Sequence, residues 1–223
     1  MKCQLLIPLT SRFPNEKAHS VQIFRVCNAL VAEGCHVVLL LALRWGSPVR
    51  NKDKMMLKSY GQRNLFVIKT LPSLFFIIRG AEKLTFTLVT ITFFISLMIY
   101  LTAARMAGKL RRTLIYIREN LLAMLLIAFY AFHGLPCVYE VHQPLSSKTL
   151  IKLLKKHSDR IWFITISEKL REDLVKMGFN PEKILVQHSC VPIEVFDEVP
   201  DDRNLLRERL NIPRDKFVVM YCG

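Results

Sequence analysis

The sequence predicts an α/β fold: a parallel sheet, doubly wound, with helices on both faces. Two patterns carry that expectation. Short, unbroken apolar runs such as HVVLLLA (36–42) and IWFITI (161–166) recur along the chain, and continuous apolar strands belong to parallel sheets buried on both sides. Between them lie segments of helical periodicity, and strict strand–helix alternation is the order of crossover-linked parallel strands.

Each element follows in turn. CQLLIPL (3–9) reads as a short buried strand. From Lys17 to Glu33 the apolar positions Val21, Phe24, Leu30 and Val31 recur at helical spacing, and Gly34 is a natural stop. After the strand at 36–42, LFVIKT (65–70) and LIYI (114–117) read as strands. ENLLAMLLIAFYAF (119–132) reads as a buried helix stopped by Gly134 and Pro136, and CVYEVH (137–142) as the next strand. SSKTLIKLLKKHS (146–158) is an amphipathic helix with a serine start, followed by the strand at 161–166. SEKLREDLVKMGF (167–179) is a helix capped by Ser167 and ended by Gly178, and KILVQ (183–187) closes the set. This assigns residues 1–192 to one domain. Beyond Pro192 the texture turns polar, and 193–216 reads as a linker with one short helix. FVVMYCG (217–223) has the pattern of a buried strand, which needs a sheet, so it reads as the first strand of a second domain that the chain breaks off before completing.

Composition narrows the class of partner. The chain has 223 residues, 52% of them hydrophobic, enough for a substantial core. Lys and Arg number 32 against 18 Asp and Glu, a net charge of +14. That excess attracts anions: phosphate esters, nucleic acid or an anionic membrane face. The basic residues are spread over helix faces with no aromatic–basic platform, which argues against nucleic acid. Six cysteines without a CxxC pair, mostly in apolar runs, read as free buried thiols of a reducing compartment. The apolar run after Lys2 soon meets Pro8 and Arg12, unlike a secretory signal.

Leu84 to Leu101 is 18 residues without a charge, flanked by Arg79 and Lys83 on one side and Arg105, Lys109, Arg111 and Arg112 on the other. Its length reaches the lower limit for a membrane span, roughly 17 residues. Five Thr and Ser side chains and its place in the alternation, where a crossover helix is due, weigh against spanning. Three readings stand in this order: a helix in the membrane interface with 84–112 against anionic lipid, a wholly buried crossover helix, and a span.

Candidate site residues cluster where strands end. Asn15, Glu16, Lys17, Ala18 and His19 lie between the first strand and the first helix, and ligands of open parallel sheets sit in such loops. A helix N-terminus and Lys17 suit an anion, and His19 supplies a donor or proton carrier. A plainer alternative makes Asn15 the helix cap and Glu16 a complement to its dipole. Arg118 and Glu119 follow the strand at 114–117 directly. Glu140 and His142 are two apart at the end of a strand, hence on one face.

FPNEKAHSVQIFRVCNALVAEGCHVVLL, IYIREN, CVYEVHQP, ITISEKLREDLVKMGF and KILVQHSCVPIEVF, in that order, resemble the amino-terminal, acceptor-side half of family 4 glycosyltransferases. The resemblance covers 2–223. It implies one of the two Rossmann-like domains of a GT-B enzyme, which moves a sugar from a nucleotide-sugar to an acceptor, usually with retention. No cofactor or bound metal is implied; the nucleotide-sugar is the donor substrate. On the residues, it implies that 15–19 approaches the donor diphosphate and the acceptor and that His142 lies near the reacting sugar. Ser167 and Glu168 would line the cleft. Apart from the resemblance, the chemistry of Glu140 suits a partner that orients His142, with a catalytic carboxylate as the alternative, and no nucleophile is assigned. The acceptor is expected to be a glycan or lipid-linked sugar at the cytoplasmic face of the inner membrane. The carboxyl-terminal domain, in cis or in trans, would hold most of the donor. The alternative is a non-catalytic half that binds acceptor, lipid or a partner. One departure is notable: Ala18-His19-Ser20 stands where many members have a glycine pair.

Overall fold

The computed structural model describes residues 3–15, 17–44, 65–74, 81–129, 134–188 and 202–219. They divide into two compact units, 1–188 and 189–223.

The first unit runs β1 (Gln4–Leu9), α1 (Ala18–Ala32), β2 (His36–Arg44), β3 (Val67–Ser73), α2 (Glu82–Met106), β4 (Thr113–Ile117), α3 (Asn120–Ala128), β5 (Cys137–Val141), α4 (Lys148–Lys156), β6 (Ile161–Thr165), α5 (Glu168–Lys176) and β7 (Ile184–Val186). All seven strands are parallel, in the order β3-β2-β1-β4-β5-β6-β7. The chain starts in the middle, winds outward to β3, then returns to the other side of β1. That reversal puts the topological switch point between β1 and β4.

Strand periodicity sorts the apolar side chains into two cores. Leu5, Ile7, Leu9, Val37, Leu39 and Tyr116 pack on one face with Ile23, Phe24 and Cys27 of α1. Leu6, Val38, Leu40, Ile117, Tyr139 and Phe163 pack on the other with α2, α3 and α4. Both faces are covered, which is why these strands carry no polar alternation. Gly34 and Gly178 follow α1 and α5 with φ of +87° and +89°, the left-handed backbone that ends a helix and that glycine adopts without a Cβ clash. Ser147 and Ser167 cap α4 and α5, accepting from Leu150 N and Leu170 N.

The expected boundaries need three adjustments. The helix expected over 119–132 ends at Ala128; 130–133 lies outside the described residues. α1 begins at Ala18 with Lys17 as its N-cap and no side-chain cap bond, so Asn15 does not cap it. The reading of 84–101 as wholly buried is also corrected. Val89, Phe93, Leu97 and Leu101 are buried against the sheet, but Leu84, Ile95 and Ile99 on the other side are exposed. Three of the threonines that weighed against an apolar setting are satisfied inside the helix. Thr87, Thr90 and Thr92 each donate to the carbonyl four residues back at 2.8–2.9 Å, as Thr102 does just beyond the segment.

Among the described residues of the second unit, a short helix, α6 (Arg203–Arg209), is capped by Asp202. Arg207 is buried there and donates to the carbonyls of Pro213, Arg214 (3.1 Å) and Lys216 (2.9 Å). Of the strand expected at 217–223, residues 217–219 form none; 220–223 lies outside the described residues.

Candidate functional site

β4 and β5 build the site by their period of two. Tyr116 faces the α1 side of the sheet, so Arg118, two residues on, emerges on the same side at the strand's carboxyl end. Glu140 and His142 do likewise on the neighbouring strand, where Tyr116 pairs with Val138. The four side chains meet. Arg118 Nε is 2.9 Å from Glu140 Oε2, His142 Nε2 is 2.9 Å from Glu140 Oε1, and Tyr116 donates its hydroxyl to Glu140 Oε2. Arg118 Nη2 lies 2.7 Å from His142 Nε2 and donates to Gln22 Oε1 of α1 at 2.7 Å.

Glu140 is only 4% exposed. Burial alone would raise its pKa. The hydrogen bond from His142, the charge of Arg118 and the hydrogen bond from Tyr116 outweigh burial and hold the carboxyl below its ordinary range. Tyr116 is pushed the other way, by burial first and then by the adjacent carboxylate, so it stays a donor. His142 Nε2 has two neighbours of opposite demand. In the Nε2–H tautomer it donates to Glu140, and in the Nδ1–H tautomer it accepts from Arg118.

At the switch point itself, Glu119 reaches from the end of β4 to the end of β1. Its carboxylate accepts from Thr10 N (3.0 Å), the Thr10 hydroxyl and Ser11 N (2.9 Å). It ties the first loop to the second rather than standing free in the crevice. Asn15 is buried and organises the same loop. Its N–H donates to Ser20 Oγ (3.1 Å), its Oδ1 accepts from Lys17 N (2.8 Å), and its amide donates to the Arg12 carbonyl. Lys17 and Ala18 are exposed. His19 is half-buried, and among the described residues its Nε2 is a buried polar atom with no hydrogen-bond partner. Burial lowers its pKa; Arg118 and Lys17 act in the same direction, and Glu119 against. Glu16 lies outside the described residues.

Ser167 and Glu168 stand at the carboxyl end of β6, the strand that pairs Thr165 with Val141. They share the edge with His142, but no hydrogen bond or ion pair among the described residues joins them to the cluster; Glu168 lies 3.9 Å from Arg171 instead. Four contributors escaped the sequence reading: Thr10, Tyr116, Gln22 and Thr165, whose buried hydroxyl lacks a partner among the described residues. Thr10 and Thr165 close β1 and β6 as Arg118 and His142 follow β4 and β5, a positional signal. Gln22 carries none, since its contact with Arg118 spans 96 residues. Among the described residues no group of three His, Cys, Asp or Glu side chains is placed to hold a metal ion.

Solved structures share this architecture. A glycosyltransferase from Rickettsia africae superposes with a TM-score of 0.58 at 10% identity, over 96% of this chain and 51% of that one. Anabaena HepE, crystallised with UDP and glucose, gives 0.55 at 15% identity over 94% and 50%. Apo UGT2 of Phytolacca americana gives 0.58 at 12% identity over 95% and 55%. The chain thus spans about half the length of each. No curated protein matches it in sequence. The model of Glycosyltransferase Family 4 matches residues 19–195, which take in His19, Arg118, Glu119, Glu140, His142, Ser167 and Glu168 but not Thr10 or 15–18, and the chain belongs to that family.

Proposed function

We propose that this chain is the acceptor-side half of a transferase that moves a sugar, with retention, from a nucleotide-sugar to a lipid-linked or polysaccharide acceptor. The observation that carries this reading is the Arg118–Glu140–His142 network at the carboxyl edge, beside the switch point, in a family 4 domain. Glycosyl transfer leaves negative charge on the departing diphosphate and positive charge on the sugar. Lys17, Arg118 and the N-terminus of α1 suit the first. His142 meets the sugar or its acceptor through Nδ1, which makes no hydrogen bond among the described residues, while Nε2 is held by Glu140 and Arg118. The unpartnered His19 Nε2 offers a second polar contact in the same crevice. Glu119 and Asn15 shape the loop. Glu140, spent on three partners, orients His142 and is not assigned as nucleophile. The UDP-bound Anabaena neighbour supports a nucleotide-sugar donor.

A cytoplasmic location at the inner membrane face is part of the reading. Buried Cys27 and Cys137, both free, support a reducing compartment. The test is radiolabelled transfer from a panel of UDP- and GDP-sugars to a membrane lipid extract, by the chain together with a carboxyl-terminal GT-B half. Transfer abolished by His142→Ala supports the reading. Acceptor binding by the chain, with no transfer from any donor, replaces it with the alternative of a non-catalytic binding half.

A further inference from the structure

α2 has two apolar stripes, and the fold uses only one. Its 25 residues place Phe93, Leu97 and Leu101 in the core. On the opposite side Leu84, Leu88, Ile91, Ile95 and Ile99 follow one another at steps of four, three, four and four, and all are exposed, Ile99 by 66%. The stripe continues into a groove of about 630 Å³ between the carboxyl-terminal half of α2 and Phe129, lined by Ile95, Met98, Ile99 and Met106. Lone exposed leucines are unremarkable; a continuous apolar band along a helix marks an interaction surface.

Charge identifies the occupant. Lys83 stands at one end of the stripe and Arg105, Lys109, Arg111 and Arg112 at the other, all exposed. No acidic residue occurs between Lys83 and Arg118. A second copy laid on the stripe in parallel would set Arg105, Lys109, Arg111 and Arg112 against their own kind, and an antiparallel copy would offer them only Glu82, which Lys83 offsets. Anionic headgroups complement the cluster of Arg105, Lys109, Arg111 and Arg112, while Glu82 and Lys83 balance each other at the other end. A span is excluded by the inner stripe: α2 connects β3 to β4 of one sheet, and crossing a bilayer would draw Phe93 and Leu97 out of the core.

We propose that the outer face of α2 docks this domain on an anionic lipid bilayer. The helix lies in the interface plane, with its stripe and the Phe129 groove among the acyl chains. The basic residues of 83–112 meet headgroup phosphates. This deepens the reading of a membrane-presented acceptor and rests on it for its purpose, but docking is measured without sugar transfer.

The experiment is flotation of the chain with vesicles of phosphatidylglycerol and phosphatidylcholine, and of phosphatidylcholine alone. The chain floats with the anionic vesicles and is released as salt is raised. Ile95→Gln/Ile99→Gln and Lys109→Glu/Arg111→Glu each lower the partition coefficient by at least roughly tenfold. All four positions are exposed, so the urea midpoint stays unchanged and separates lost docking from lost folding. Three results overturn the proposal: no flotation of the unaltered chain, variants that float as it does, or a dimer in sedimentation that Ile95→Gln/Ile99→Gln dissociates. Flotation without transfer leaves docking standing and removes only the catalytic reading. Transfer without flotation does the reverse.

Discussion

Glu140→Gln changes one oxygen to nitrogen and removes the charge at the centre of the site. In the native chain the carboxylate holds Arg118 Nε at 2.9 Å and His142 Nε2 at 2.9 Å and accepts from Tyr116. The Glu140 and Arg118 side chains are 5% and 9% exposed, so water does not compensate for the loss. Breaking a buried pair by removing one partner costs about 3–5 kcal/mol, because the other charge stays buried. The Gln oxygen still accepts from Tyr116, which returns about 1 kcal/mol. The expected loss is therefore about 2–4 kcal/mol, a fall in Tm of roughly 6–12 °C for a domain of this size. The assay is urea denaturation followed by far-UV circular dichroism, with an unchanged m-value as the control. Arg118→Met costs a similar amount alone. The double variant buries no unpaired charge and costs at least about 1.5 kcal/mol less than the sum of the two. A Glu140→Gln cost below about 1 kcal/mol, or single costs that simply add, would refute the argument that this network is a coupled buried unit.

Glu119→Ala leaves the Thr10 and Ser11 amides and the Thr10 hydroxyl without their acceptor, at about 2–3 kcal/mol in the same assay; a change under about 0.5 kcal/mol means the loop is held by other contacts. Leu97→Ala, in the inner stripe of α2, costs about 2–5 kcal/mol, whereas Ile99→Ala on the outer stripe stays within about 0.5 kcal/mol; equal costs would mean the helix is packed all round. Two groups give the stability a pH dependence. Glu140 has a lowered folded pKa, so its contribution is complete above the unfolded carboxylate value, about 4.3, and is lost as pH falls below it; Glu140→Gln flattens that limb of a urea-midpoint titration. His19 is also lowered, so the unfolded chain takes up its proton first, and stability drops as pH falls below about 6.5; His19→Gln removes that step, and an unchanged profile counts against its burial.

By itself, the sequence determined the order of elements and the class of sheet. Apolar runs such as 36–42 carry no alternation because each strand is covered on both faces, and that property is local to the run. Helix ends were equally legible, since Ser147, Ser167, Gly34 and Gly178 act on backbone groups within a few residues. The strand-end positions of Arg118, Glu140 and His142 followed from the same periodicity.

What those residues do to one another was decided by the tertiary structure. That Glu119 braces Thr10, that Gln22 holds Arg118 and that Tyr116 serves Glu140 depends on contacts across 109, 96 and 24 residues. The strand order places β4 beside β1, and nothing in a local pattern records which strands become neighbours. The same holds for α2. Its sequence is apolar all round, and only the packing of one face against the sheet shows which stripe the fold buries and which it leaves for something else.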